Sequence, residues 1–259
     1  MPLPYPYSPI HYSESLQKGK MITLGPRHLQ GLDIREIKTK EAFTIIDKTG
    51  SFFRASLKQR SKNSGKAIVY EEMIGTTESP VTITLFCAVL GRQRMLTVIQ
   101  KATELGICRF IPVVTEHSVQ FSGLAHQKSH AWPKQAVRAA RQCRRASLPE
   151  VRPTIALKNA LQDPCFRGAD IRVVLDDGIQ EISTFGGMSY NSMAMLVGPE
   201  GGWSDAERKT LREHDCVSLR LGGRVLRAET AVYAGLVIVQ HMFGDMIQST
   251  AVRKPNTEV

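Results

Sequence analysis

MLVGPEGGWSDAE (Met195–Glu207) and VSLRLGGRVLRAETA (Val217–Ala231) are the stretches on which the reading of this chain turns. In each, an apolar run breaks at a glycine-rich turn, and the turn opens into a helix-forming segment. Ser204-Asp205-Ala206-Glu207 fits a capping box, with Ser204 covering the N3 amide and Glu207 reaching back to the cap. Gly198-Pro199-Glu200-Gly201-Gly202 therefore lies between the end of a strand and the start of a helix, where open α/β sheets bind ligands. Glycine lacks a Cβ, so a ligand can lie directly against backbone N–H and C=O groups. A phosphate ligand fits poorly. GxxxxGK[ST] and GxGxxG are both absent, no Lys follows, and Glu200 would repel phosphate.

The second turn, Leu221-Gly222-Gly223-Arg224-Val225-Leu226-Arg227, leads through Ala228-Glu229-Thr230 into an amphipathic helix carrying Val232, Leu236, Val239 and Phe243 on one side. Its arginines are either incidental to the helix start or charge placed beside a pocket.

Outward from this pair, strands alternate with longer helical stretches, the pattern of an α/β layer with a parallel sheet. Val81–Leu90 reads as a buried strand, and Cys108–Val114 and Ile171–Leu175 as two more. Met95, Val98, Ile99, Ala102 and Leu105 recur at helical spacing, with Gly106 as C-cap. A second helix is expected over Ala131–Ser147, where Lys134, Arg138, Arg141 and Arg145 share one face. Seven Lys or Arg stand against one acid, Glu150, between His126 and Pro153, which favours a functional basic face over plain solvation. Asp176-Asp177-Gly178 ends a strand, and its acids are turn formers or ligand contacts.

Residues 1–17 read as an extended arm. From Gly19 to Glu78 the apolar segments are short and alternate in Phe43-Ile45 and Phe53-Ala55-Leu57, which suggests a small β-barrel or compact sheet. Lys58, Arg60, Lys62 and Lys66 crowd the turn at Asn63-Ser64-Gly65, either a solvated hairpin tip or a phosphate contact. Polar Thr76–Pro80 marks a boundary, giving units 1–78 and 79–259.

The chain has 259 residues, 42% hydrophobic and 22% charged, an ordinary globular composition. No apolar run approaches the roughly 18–20 residues that span a bilayer, and the N-terminus lacks a secretory pattern. Five scattered cysteines without CxxC pairing fit buried thiols in a reducing compartment better than disulfides or zinc, so a cytoplasmic location is expected. A formal charge of +10 attracts polyanions, chiefly nucleic acid.

GPEGG-W-S-x-x-E followed by LGGRVLRAETA resembles the RsmE family of SPOUT-class methyltransferases. QKATELG, IPVVTEHSV and RQCRRASLPEV extend the resemblance upstream in the family's order, over roughly residues 85–245. The resemblance implies an N-terminal PUA-like β-barrel that binds RNA and a C-terminal α/β domain tied in a trefoil knot. It implies S-adenosylmethionine as methyl donor, no metal, and a homodimer packed through the knot. The product would be N3-methyluridine in 16S ribosomal RNA, with free RNA or the assembled small subunit as substrate. The alternative is a non-catalytic ribosome-assembly or RNA-binding protein on the same fold. Carried onto this sequence, the donor would be held by Leu175, Leu196, Gly198, Glu200, Gly201, Gly202, Leu221, Gly222, Leu226 and Thr230. Arg227 would stabilise the developing uridine anion, and Glu229 would relay the N3 proton or merely cap its helix. Lys134, Arg138, Arg141, Arg145, Lys58, Arg60 and Lys62 would face the RNA. Family members commonly have an acid where this chain has Arg141.

Overall fold

The computed structural model describes residues 3–5, 7–176 and 189–246; Asp177 and Gly178 of the strand-end turn lie outside them. Two sheets carry the chain. The first is antiparallel, built from β1 (Met21–Leu24), β2 (Ala42–Ile46), β3 (Phe52–Arg60) and β4 (Gly65–Glu72) in the order β1-β4-β3-β2. Alternation decides its inner face: Phe53, Ala55 and Leu57 of β3 meet Ala67 and Val69 of β4 in one core. The β2–β3 turn is folded around Asp47, whose carboxylate accepts from the backbone of Thr49 at 2.8 Å, Ser51 at 3.1 Å and Leu16 at 3.1 Å. A helix that strand periodicity does not announce, α1 (Pro26–Ile34), follows β1 and packs Leu29 and Leu32 onto this core. Pro26 opens it, and the Gly25 N–H donates to His28 Nδ1 at 3.1 Å. The N-terminal arm turns and bends where an extended run is expected, with Tyr7 N donating to Pro4 O at 2.9 Å, and packs onto the same core through Ile10 and Leu16, Ile46 N donating to Ile10 O at 2.9 Å.

The second sheet is parallel throughout. Its strands are β5 (Thr82–Ala88), β6 (Arg109–Val114), β7 (Glu150–Val151), β8 (Ile155–Ala156), β9 (Ile171–Leu175), β10 (Ser192–Val197) and β11 (Val217–Ser218). They run in the order β11-β9-β10-β5-β6-β7, with β8 also on β6. Helices α2 (Arg92–Glu104), α3 (Trp132–Gln142) and α7 (Ala228–Phe243) supply one covering layer, where Val98, Ala136 and Leu236 join Leu85 and Met195. Short α4 (Leu157–Ala160), α5 (Pro164–Arg167) and α6 (Asp205–Glu213) cover the other, where Phe166 and Leu211 join Phe86, Ile111 and Leu196. A sheet covered on both faces explains why β5 and β10 read as continuous apolar runs instead of alternating ones. Each fully buried Leu, Ile or Phe in these layers contributes about 1.5–3 kcal/mol of transfer free energy. From the β11 edge the chain returns across the sheet, so that α7 lies beside α2 and β10.

Helix α3 corrects the sequence expectation. It ends at Gln142 rather than Ser147, with Arg144 in the left-handed region at φ 63°. The physical reason is Glu78. Its carboxylate accepts from Ala146 N at 2.9 Å, Ser147 N at 3.0 Å and Arg145 Nη2 at 2.7 Å, which draws the chain out of the helix. Arg145 Nη1 donates to the carbonyls of Thr103 at 3.1 Å and Ile107 at 2.8 Å, and its side chain is 3% exposed. Arg145 is therefore a buried structural cation and not an RNA contact. Burial alone would raise the Glu78 carboxyl, but the Arg145 charge and the hydrogen bonds from Arg145 and Ser147 hold it below the usual carboxylate range.

Candidate donor cleft and basic surface

Strand order places the site. The connection after β5 leads to β6 on one side, whereas the connection after β10 leads to β11 on the other. The chain diverges between these two neighbours, which makes their carboxyl ends a topological switch point.

Both glycine turns lie next to it, over the carboxyl ends of β10 and its other neighbour β9. In the first, Gly202 N donates to Pro199 O at 2.9 Å, and Gly202 adopts φ 70°, a conformation that suits glycine. The Trp203 indole packs against Gly198, where an added Cβ would sit 3.1 Å from the ring, and its Nε1 donates to Leu175 O at 3.3 Å. Helix α6 then starts with the expected capping box: Glu207 N donates to Ser204 Oγ at 3.3 Å and Ser204 N to Glu207 Oε2 at 3.0 Å. His117, which the reading of the glycine turns passes over, clamps the turn through Nδ1, 3.1 Å from Gly201 O and 3.2 Å from Gly202 O. A Cβ on Gly201 would come within 2.9 Å of His117.

In the second turn Gly222 adopts φ 94° and faces open space, Leu226 turns inward, and Arg227 is the N-cap residue of α7. Between the turns lies a cleft of about 320 Å³. It brings together Leu175, Gly198, Glu200, Gly201, Gly202, Leu221, Gly222 and Leu226 from the sequence reading, with Val197, Ala228 and Ala231 added. Asp176 also lines it, tied to Arg208 Nε at 3.1 Å; that hydrogen bond is the main cause holding the Arg208 guanidinium above its usual range.

Two expected donor contacts are displaced. Leu196 alternates to the far face of β10 and is fully buried among Phe86, Trp203 and Leu211, so Val197 takes its place on the wall. Thr230 is exposed on α7, because helical periodicity presents Ala228 and Ala231 to the cleft instead. Arg227 and Glu229 stand beside the cleft and not on its wall. Arg227 is exposed, whereas the Glu229 side chain is 18% exposed and lies 3.8 Å from Arg94 Nε. Arg94 also pairs with Glu200.

The basic residues are placed unevenly. Arg138 is exposed on α3, but Lys134 lies 3.7 Å from Glu36 and Arg141 2.8 Å from Glu41. Arg60 pairs with Asp33 at 2.6 Å, while Lys58 and Lys62 are exposed near the β3–β4 tip. Acids of the first sheet unit thus compensate much of the α3 face, in a groove of about 640 Å³ between the two.

The RNA methyltransferase domain family matches residues 77–240, which hold the parallel sheet and both glycine turns. The chain is 26% identical over 234 residues to the ribosomal RNA small subunit methyltransferase E of Aquifex aeolicus, spanning 90% of this chain and 99% of that one. It is 30% identical over 202 residues to the protein of that name from Bacillus subtilis, spanning 73% and 77%. The crystal structure of a ribosomal RNA small subunit methyltransferase E from Neisseria gonorrhoeae bound to S-adenosyl methionine matches with a TM-score of 0.66 at 26% identity, over 93% of this chain and 100% of that one. Fold and site together define an RNA methyltransferase. The chain belongs to that family and, within it, to the ribosomal RNA small subunit methyltransferase E (RsmE) family.

Proposed function

We propose that this chain transfers a methyl group from S-adenosylmethionine to N3 of a uridine in 16S ribosomal RNA. The observation that carries this reading is the single cleft formed by two glycine turns at the carboxyl ends of β9 and β10. Its chemistry fits the donor. Backbone and aliphatic walls suit an adenosyl group, and the two carboxylates in the lining, Asp176 and Glu200, are paired with Arg208 and Arg94, so among the described residues the cleft offers neither an unpaired acid nor a phosphate loop. Gly222 lines the cleft at φ 94°, a backbone conformation that L side chains rarely adopt. Intact turns of this kind also favour the enzyme over a non-catalytic assembly factor, which would be free to lose them.

When bound, the donor supplies an electrophilic methyl for in-line displacement, which leaves positioning and proton handling to the chain. N3 lies on the Watson–Crick edge and carries a proton, so the base must be unpaired to reach the cleft. Arg227, exposed at the rim, stabilises the uridine anion, and Glu229 accepts the proton. Residues 1–78 would form a PUA-like unit that orients RNA, and residues 79–259 the methyltransferase unit. The return of α7 to α2 supports a knotted path, and the exposed Val237 and Met242 on α7 support a homodimer through that region. Action on ribosomal RNA implies a cytoplasmic location; among the described residues no helix is long and apolar enough to cross a membrane.

The test is mass-spectrometric mapping of methylated nucleosides in ribosomal RNA with and without the gene, followed by complementation with Arg227→Ala. Loss of one N3-methyluridine with the gene supports the assignment, and an unchanged nucleoside profile defeats it. Arg227→Ala is expected to lower turnover about 10²–10³-fold, the range for removing one donor from an oxyanion site. Near-wild-type turnover with donor bound would remove Arg227 from the mechanism.

A further inference from the structure

We propose that Arg94 is a positioning residue for methyl transfer: its guanidinium, an ion-pair distance from one carboxylate oxygen of Glu229, orients that carboxylate and leaves the other oxygen to accept the substrate proton. The inference rests on the reading of Glu229 given above.

Three observations carry it. Helix α2 begins at Gly91 with Arg92 and Arg94 in its first turn and no acid there. Cations at a helix N-terminus oppose the macrodipole by about 0.3–1 kcal/mol, so helix stability does not explain Arg94. Its guanidinium instead links the first glycine turn to α7, pairing with Glu200 of the turn and lying 3.8 Å from Oε1 of Glu229 in the first turn of the helix. Without this cation, two carboxylates would share one rim. Last, Glu229 Oε2 is buried with no hydrogen-bond partner, a state that costs about 1–3 kcal/mol unless a substrate group completes it.

Tyr233, one turn further along α7, also has an unpartnered buried hydroxyl. Burial and then the Glu229 charge push its phenol up to about 12, so it remains an O–H donor and does not compete as the base. Glu229 Oε2 is left as the acceptor. In the step, the N3–H bond breaks and an O–H bond forms on Glu229. The electron pair left on N3 forms the N–CH3 bond, and the S–CH3 electrons stay on sulfur, giving a neutral thioether.

Arg94→Ala, Arg94→Lys, Glu229→Gln and the Arg94→Ala/Glu229→Gln double variant are assayed on small ribosomal subunits lacking the modification. S-adenosylmethionine affinity by calorimetry and Tm are measured on the same proteins. Arg94→Ala should lower kcat, read at saturating S-adenosylmethionine because the change also releases Glu200 of the donor turn, about 10–100-fold, part of the roughly 10²–10⁴ that a placed acid or base supplies, with Tm unchanged. Arg94→Lys should recover most of the loss. Because the two residues act as a unit, the double variant should be no more than about twofold slower than Glu229→Gln. Multiplied losses, or a loss confined to donor Kd or Tm, would overturn the proposal. A slow Glu229→Gln beside a normal Arg94→Ala sinks Arg94 alone, whereas a normal Glu229→Gln sinks the underlying reading of Glu229.

Discussion

Gly201 shows how little space the donor turn leaves. Its Cα faces His117, and an added Cβ would stand 2.9 Å from His117 Cβ, closer than side chains pack. The turn would have to move by several tenths of an ångström, dragging the carbonyls that His117 holds. Gly223 on the other turn meets nothing within 4 Å and does not require a left-handed backbone. Gly201→Ala should therefore weaken donor binding by about tenfold, or ~1.4 kcal/mol, while Gly223→Ala changes it by less than about twofold. Calorimetry with S-adenosylmethionine decides it; equal effects at both positions would show that the His117 contact does not shape the turn.

Among the elements, the seam built on Glu78 carries the largest expected stability effects. Removing one member of a buried, hydrogen-bonded ion pair leaves an uncompensated charge, so Arg145→Ala should cost about 3–5 kcal/mol in urea unfolding. The pH dependence follows from the depressed Glu78 carboxyl. A group whose folded pKa lies below its unfolded value of about 4.5 stabilises above that pH, and the contribution fades as pH falls through the folded value. Glu78→Gln should flatten the acid limb of stability below about pH 4.5 and leave the slope above it unchanged. The same seam marks where sequence reading stops. β5, β10 and the α6 capping box were legible because a doubly covered strand and a capped helix are written in local residue order. The end of α3 was not, since helical spacing continues through Arg145 and only the distant Glu78 interrupts it. Leu196 and Thr230 likewise belong to the right motifs, but strand alternation and helix phase turn their side chains away from the cleft. α1 escaped because no Ser, Thr, Asn or Asp stands at its N-cap; Gly25 is capped instead by His28 Nδ1, a contact that strand periodicity does not announce.

At the scale of the whole molecule, the net charge of +10 overstates what RNA can meet. Lys134 and Arg141 already face Glu36 and Glu41, and Arg60 faces Asp33, so three of the expected phosphate contacts are answered within the chain. Arg138 is exposed on the same helix and takes part in none of these pairs. Each phosphate contact to single-stranded RNA contributes about 0.7 to the slope of log affinity against log salt. Arg138→Ala should lower that slope by about 0.7, whereas Lys134→Ala should change it by less, because its cation is partly neutralised before RNA arrives. Glu36→Gln/Glu41→Gln should act in the opposite sense, freeing two cations and tightening RNA binding most at low salt. Fluorescence titrations of a 16S ribosomal RNA fragment across about 50–200 mM salt would read all three. If the Glu double variant binds no more tightly than the wild type, the α3 face is an interdomain tether rather than an RNA surface, and the exposed Lys58 and Lys62 near the β3–β4 tip become the place to look for the phosphate path.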